Sequence, residues 1–169
     1  MQLRLPGLVF RHTPTPLQGI CHKAYQDMKT NLQDELDRTK RYVRKHFSNA
    51  LMSDAKWWKL ICSLEAEVIG IEQIVVKFID SADTHTIRMP RIADLSPPKP
   101  FIDTLEFGPI ETCAIEWIEI PEMTRPYIDG VPASTAKQDI KAARATIASL
   151  GKYPVEDSRN GLVIRGYLR

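Results

Sequence analysis

Three segments of the chain repeat their apolar residues at helical spacing. The first lies in residues 30–47, the second begins at Ser53, and the third follows Thr135. Ser53 is a favoured N-cap residue, Thr135 opens a Thr-x-x-Gln capping box with Gln138, and Gly151 supplies a C-cap after the third segment. The apolar positions are Leu32, Leu36, Val43 and Phe47, then Trp57, Leu60, Ile61 and Leu64, then Ile140, Ala143, Ile147 and Leu150. This pattern predicts three helices.

Other segments favour extended structure. Residues 74–79 are rich in β-branched side chains, turn formers separate them from residues 85–89, and residues 112–120 alternate in the manner of a strand. Near the end of the chain, Asn160 and Gly161 are the preferred residues of a tight hairpin turn. The sequence therefore predicts an α+β fold, in which about three helices pack a small, mostly antiparallel sheet of about four or five strands.

Proline-rich stretches divide this pattern. Five prolines in residues 90–110 predict a long loop without a helix or a central strand. Residues 1–22 have little periodicity and several turn formers, so we expect a poorly packed N-terminal tail. The expected organisation is that tail followed by one α+β domain over residues 23–169.

Composition fits an ordinary globular protein, with 169 residues, 43% of them hydrophobic and 26% charged. The three cysteines, Cys21, Cys62 and Cys113, are an odd number at wide spacings, which disfavours a disulfide framework and a CxxC-type zinc or redox site. Every apolar run is far shorter than the roughly 20 residues of a membrane span. We expect a reducing, cytoplasmic location and no membrane contact.

Motifs of the common enzyme classes are missing from the sequence. It contains no phosphate-binding glycine loop and no metal-ligand spacing, so we assign no catalytic residue, metal or cofactor. An enzyme stays open as one alternative, with a site built from residues 90–122 and His85, because catalytic groups can converge from distant positions. On a regular strand Glu116 and Glu119 would point to opposite faces and could not form one acid pair.

Acidic residues concentrate in one part of the chain. Residues 101–130 hold one Lys or Arg and seven Asp or Glu, a net charge of −6. Trp58 adds an aromatic side chain at the core margin or on the surface, since it points about 100° away from the core residue Trp57. The candidate partner-binding residues are Trp58, Asp103, Glu106, Glu111, Glu116, Glu119 and Glu122. They favour a non-catalytic interaction protein, of the immunity or regulatory type, that binds a basic partner.

Basic residues concentrate in the second half of the first helix. They are Arg38, Lys40, Arg41, Arg44 and Lys45. Cations at a helix C-terminus suit the helix dipole, and the same cations could neutralise nucleic-acid phosphates. Nucleic-acid binding through this helix is therefore the alternative to a protein partner.

Three parts of the sequence together resemble an uncharacterised bacterial family, a domain of unknown function. The resemblance rests on Lys56 and Trp57 at the start of a helix, on the strand Ile115, Glu116, Trp117 and Ile118, on residues 150–155, and on the closing run Gly161, Leu162, Val163, Ile164, Arg165, Gly166 and Tyr167. It covers roughly the last two thirds of the chain. It implies no known activity and transfers no functional residue.

Overall fold

The computed structural model describes residues 33–66, 70–95, 101–104, 108–128, 131–132 and 134–169. Residues Leu36–Arg169 form one compact unit. Of the other unit, Met1–Glu35, the helical residues 33–35 are described. The predicted tail, residues 1–22, lies outside the described residues.

The three predicted helices are present. Helix α1 is described over residues 33–46, α2 spans Asp54–Ala66, and α3 spans Ile140–Ser149. Ser53 caps α2 as predicted, because its Oγ accepts a hydrogen bond from the Lys56 backbone N–H at 3.3 Å. Gly151 follows α3 with φ of +119°, a conformation that glycine adopts without steric strain.

The described residues include eleven short strands. They are β1 Asn49–Ala50, β2 Gln73–Phe78, β3 Thr84–Arg88, β4 Phe101–Thr104, β5 Gly108–Glu111, β6 Ile115–Pro121, β7 Tyr127–Ile128, β8 Val131–Pro132, β9 Val155–Asp157, β10 Gly161–Arg165 and β11 Tyr167–Leu168. Five strands form an antiparallel sheet in the order β3-β2-β6-β10-β9, and the others pair as β1-β11, β4-β5 and β7-β8. The chain thus has the predicted α+β fold, with helices packed on a small antiparallel sheet.

Helices α2 and α3 pack on one face of this sheet, which we call the helix face. The buried core there includes Trp57, Leu60, Ile61 and Leu64 of α2, Ala143 and Ile147 of α3, and Ile74, Val76, Ile87, Ile118, Ile120, Leu162 and Ile164 of the sheet. Trp57 is 1% exposed, as its place on the α2 apolar stripe predicts. A smaller cluster packs Phe47, at the end of α1, against Ile79 and Tyr167. Burial of these side chains is the main stabilising term, roughly 1.5 to 3 kcal/mol for each large one.

The segment 121–138 is bonded to strands β2 and β6 through the buried side chain of Gln138. Its Oε1 accepts hydrogen bonds from the backbone N–H groups of Glu72 and Gln73, at 2.7 and 2.9 Å. Its Nε2 donates to the carbonyl oxygens of Gln73 and Pro121, at 3.0 and 2.7 Å. The predicted Thr135–Gln138 capping box is therefore wrong. Helix α3 begins later, where Asp139 Oδ1 accepts from the Ala142 N–H at 2.9 Å.

Residues 90–110 are not the continuous loop that their prolines predicted. Residues Ile92–Asp94 form a 3₁₀ turn, and β4 and β5 pair as an antiparallel two-stranded sheet. Pro109 is tolerated because a strand in a two-stranded sheet keeps one edge free of backbone pairing. Leu95, Ile102 and Ile110 are buried in the main core, and their burial orders this segment.

The strand predicted over residues 112–120 begins three residues late. Residues Thr112–Ala114 form a 3₁₀ turn before β6. The ladder between β2 and β6 then shifts register, pairing Phe78 with Ile115 but Lys77 with Trp117. Such a bulge adds one residue to a strand and breaks strict alternation. Ile115 and Ile118 consequently both reach the core, although they are three positions apart.

The predicted terminal hairpin is present, but its turn differs from the predicted one. Strands β9 and β10 pair antiparallel, with Leu162 opposite Asp157. Gly161 belongs to β10 and lies opposite Pro121 of β6, where a Cβ atom would clash with the Ile120 carbonyl oxygen. The turn precedes it, with Ser158 Oγ accepting from the Gly161 N–H at 2.9 Å. Glycine is required here by close packing of two backbones.

Candidate partner-binding surface

Trp58 lies on the side of α2 next to the buried stripe and is 40% exposed. Asp54 precedes it by one turn, Cys62 follows by one turn, and Glu65 lies seven positions after it. At about 100° per residue these four side chains share one flank of the helix. Asp54 is exposed, and Cys62 and Glu65 are half-buried. The large aromatic ring of Trp58 is thus bordered by a carboxylate along the helix in each direction.

The turn after β5 extends this flank. Thr112 Oγ1 donates a hydrogen bond to Asp54 Oδ1 at 2.5 Å, which holds Asp54 against the 3₁₀ turn. The preceding residue, Glu111, is half-buried, and its Oε2 accepts a hydrogen bond from Cys113 Sγ at 3.8 Å. We call Trp58, Asp54 and Glu65 the acidic Trp58 surface; the turn that follows Glu111 is joined to it through Thr112.

Neither described cysteine carries a reactive thiol in this region. Burial, with smaller contributions from the charges of Glu111 and Asp54, raises the pKa of Cys113 to about 12. Burial also raises the pKa of Cys62, with a second contribution from Glu65. Both thiols are therefore protonated at neutral pH, which disfavours a cysteine nucleophile.

Glu116, one of the predicted partner-binding residues, has an internal ion pair. Its side chain is 10% exposed, and Arg169 approaches it with Nε 2.9 Å from Oε1 and Nη2 3.1 Å from Oε2. The same guanidinium group lies 5.4 Å from the centre of the Phe47 ring. This two-bond geometry ties the end of the chain to β6.

Glu119 is paired in a different place. Its side chain is 8% exposed, its Oε1 accepts from Ser158 Oγ at 2.6 Å, and its Oε2 lies 3.9 Å from Arg125 Nη2. Arg125 also donates to Thr86 Oγ1 at 3.4 Å, and its backbone N–H donates to Gln73 Oε1 at 2.7 Å. The network connects the segment 121–138 to the sheet. Glu116 and Glu119 share no partner, so they do not form an acid pair.

The remaining predicted acidic residues are Glu122, Asp103 and Glu106. Glu122 has a side chain that is 57% exposed and pairs with Lys137 at 3.2 Å. Asp103 lies in β4 opposite Pro109, and Glu106 lies outside the described residues. Of the acidic run, Glu116 and Glu119 are buried, and Glu111 is half-buried next to the turn that bonds to Asp54.

Two groups of the predicted enzyme site, His85 and Glu119, lie on different faces of the sheet. His85 lies opposite Val76 on β2, whereas Glu119 lies opposite Val75. Since successive strand residues point to opposite sides, the two side chains are on different faces of the sheet. Within the described residues, no group of three or more His, Cys, Asp or Glu could hold a metal ion. Every buried side-chain nitrogen or oxygen atom in that part of the chain has a hydrogen-bond partner.

The basic residues of α1 are all on the surface. Arg38, Lys40, Arg41, Arg44 and Lys45 are exposed, while Leu36 and Phe47 are each 9% exposed and Val43 packs against the Phe47 cluster. The helix therefore presents its cations outward and its apolar residues inward, as its sequence pattern predicts.

Sequence reasoning did not identify Asp54 and Glu65 as neighbours of Trp58, nor the arginines that neutralise the two buried glutamates. The first pair could have been predicted from the sequence, because Asp54 lies four residues before Trp58 and Glu65 lies seven residues after it. Arg169 is 53 residues from Glu116, so local pattern gives no sign of that pair.

Comparisons with known proteins add no family. No protein-family model, curated protein or solved structure matches the chain. In the described part of the chain, no helix has the length and apolar character needed to span a membrane.

Proposed function

We propose that this protein is a non-catalytic interaction module that acts in the cytoplasm and binds a basic protein partner through the acidic Trp58 surface. An immunity-type or regulatory role fits such a module. The observation that carries the proposal is the 40% exposure of Trp58 between carboxylates on one flank of α2. Tryptophan is enriched among the residues that dominate binding energy at protein interfaces.

Charge around Trp58 supports a basic partner. Asp54 and Glu65 provide one carboxylate on each side of the exposed ring along α2, and Glu111 precedes the residue that hydrogen-bonds to Asp54. An acidic rim of this kind accelerates encounter with a positively charged surface and disfavours acidic competitors. The ring would supply most of the affinity, and the carboxylates would supply selectivity and orientation.

The interior supports binding in preference to catalysis. Glu116 and Glu119 are each neutralised by an arginine, and Gln138 uses its amide to bond the segment 121–138 to the sheet. These polar groups are fully used in holding backbone segments together. They would have to break structural bonds before they could move a proton or bind a substrate.

Quantitative affinity purification from cells of the source organism tests the proposal. Wild-type protein is compared with Trp58→Ala and Glu65→Lys, and with the matched controls Met123→Ala and Glu72→Lys, which change an exposed apolar and an exposed acidic residue elsewhere. A partner that docks here should be retained by both controls. Trp58→Ala should weaken its binding by at least about 2 kcal/mol, or roughly thirtyfold in Kd.

Glu65→Lys should change the association rate of the partner, unlike Trp58→Ala, which should mainly weaken its affinity. Loss of a rim carboxylate should mainly slow association, and the difference from wild type should shrink as salt is raised. A partner that binds Trp58→Ala as tightly as wild type, or that is lost equally from Met123→Ala, would contradict the assignment of this surface. Recovery of no partner by any variant would contradict the proposed function itself.

A further inference from the structure

The exposed face of α1 carries three cations that form no ion pair with another described residue. At about 100° per residue, Arg38, Arg41 and Lys45 lie within about 60° of one another and point away from Leu36 and Phe47. Among the described residues, none of the three is in an ion pair. The helix dipole stabilises each such cation by only about 0.3 to 1 kcal/mol, so helix stability alone does not require three of them on one stripe.

An aromatic stack borders the same face. The rings of Tyr42 and His46 are stacked, with centroids 4.3 Å apart and planes inclined by 30°. Tyr42 is 38% exposed and lies about 40° around the helix from Arg38. A partly exposed aromatic ring beside a row of cations is a combination that binds single-stranded nucleic acid, because bases stack while phosphates pair with the cations.

Two other anionic partners fit this face less well. A membrane-binding helix inserts its apolar side into the lipid, but the apolar side of α1 is packed in the Phe47 cluster. A duplex offers phosphates but keeps the faces of its bases stacked inside, where Tyr42 cannot reach them. We propose that α1 binds single-stranded nucleic acid through Arg38, Arg41 and Lys45, with a base stacked on Tyr42. This binding is independent of the acidic Trp58 surface.

The geometry sets the size of the site. From Arg38 to Lys45 the helix rises roughly 10 Å, which matches about three phosphates at about 3.4 Å per nucleotide of a stacked strand. Three phosphate contacts on a single strand predict a slope of about −2 for log K against log salt concentration. Affinity should therefore fall roughly eighteenfold between 50 and 200 mM salt.

Fluorescence anisotropy with the full chain tests this. The probes are labelled 12-nucleotide single strands of DNA and of RNA, a DNA duplex of the same sequence, and vesicles containing anionic phospholipid. The variants are Arg38→Gln/Arg41→Gln/Lys45→Gln and Tyr42→Ala. The matched control is Lys141→Gln/Lys152→Gln/Arg159→Gln, which removes three exposed cations from other parts of the chain. Circular dichroism confirms that each variant is folded.

The two variants should fail in different ways. Replacement of the three cations should abolish the salt dependence, with each single replacement lowering the slope by about 0.7. Tyr42→Ala should weaken binding at least about fivefold and leave the slope unchanged. The control triple variant should bind like wild type, and the DNA and RNA arms show which sugar is preferred.

Several results would overturn the inference. One is the absence of binding to either single strand at 50 mM salt, and another is an equal loss of affinity in the control triple variant. A duplex that binds as tightly as the single strands, with no effect of Tyr42→Ala, would also contradict it. So would binding to vesicles alone. Failure here leaves the Trp58 experiment unaffected, because the two tests change different residues and use different probes.

Discussion

Replacement of Gln138 by leucine should be among the most destabilising changes to a polar residue of this chain. The side chain is 1% exposed and bonds to four backbone groups of Glu72, Gln73 and Pro121. Each such bond contributes a net 0.5 to 1.5 kcal/mol, so the loss of all four predicts about 2 to 6 kcal/mol. Leucine fills a similar volume, so the loss would come from unpaired backbone groups and not from a cavity.

Urea unfolding, followed by tryptophan fluorescence, measures this loss. With a slope of about 2 kcal/mol per molar urea, the midpoint should fall by roughly 1 M or more at constant slope. The neighbouring variant Asp139→Ala is the control, since it removes only the α3 N-cap and should cost about 1 kcal/mol. A Gln138→Leu protein within about 1 kcal/mol of wild type would refute the structural role of this side chain.

Three further outcomes follow from the structure. Gly166→Ala should lower the free energy of unfolding by roughly 2 kcal/mol or more in thermal denaturation, because its Cβ would clash with a carbonyl oxygen of β6. Burial raises the pKa values of Cys113 and Tyr167 to about 12, so the folded state favours their protonated forms. The urea midpoint should therefore stay constant below about pH 9 and fall as the pH rises toward 12. A midpoint that does not change over this pH range would contradict the prediction. Arg169→Gln should lower the urea midpoint by leaving Glu116 buried without a counter-charge, and Glu116→Gln in the same chain should recover most of that loss; an unchanged midpoint in Arg169→Gln would contradict the role of this pair.

Local pattern predicted those elements whose burial and capping lie within one segment. The Trp57 stripe, the Ser53 cap and Gly151 after α3 follow from neighbours in sequence, and the structure confirms each of them. Elements that depend on distant contacts were not predictable in this way. The β4-β5 pair forms in a proline-rich segment because Ile102 and Ile110 reach a core built by other parts of the chain.

The same distinction separates the candidate site residues. The exposure of Trp58 could be anticipated from its angle to Trp57 on one helix. The burial of Glu116 and Glu119 could not, since it depends on a register shift in β6 and on Arg169 and Arg125. A run of carboxylates in sequence therefore divides into structural ion pairs and a smaller exposed set, and three-dimensional pairing decides which residues belong to each.

A photo-crosslinking residue in place of Trp58 would show whether the protein works through this surface. Benzoylphenylalanine is introduced at position 58 and, as the control, at the more exposed Met123, and each protein is irradiated in cells of the source organism. A discrete adduct with one basic protein should form from position 58, diminish when Glu65→Lys is added, and not form from position 123. An adduct from position 123 alone, or none from position 58, would contradict binding through Trp58.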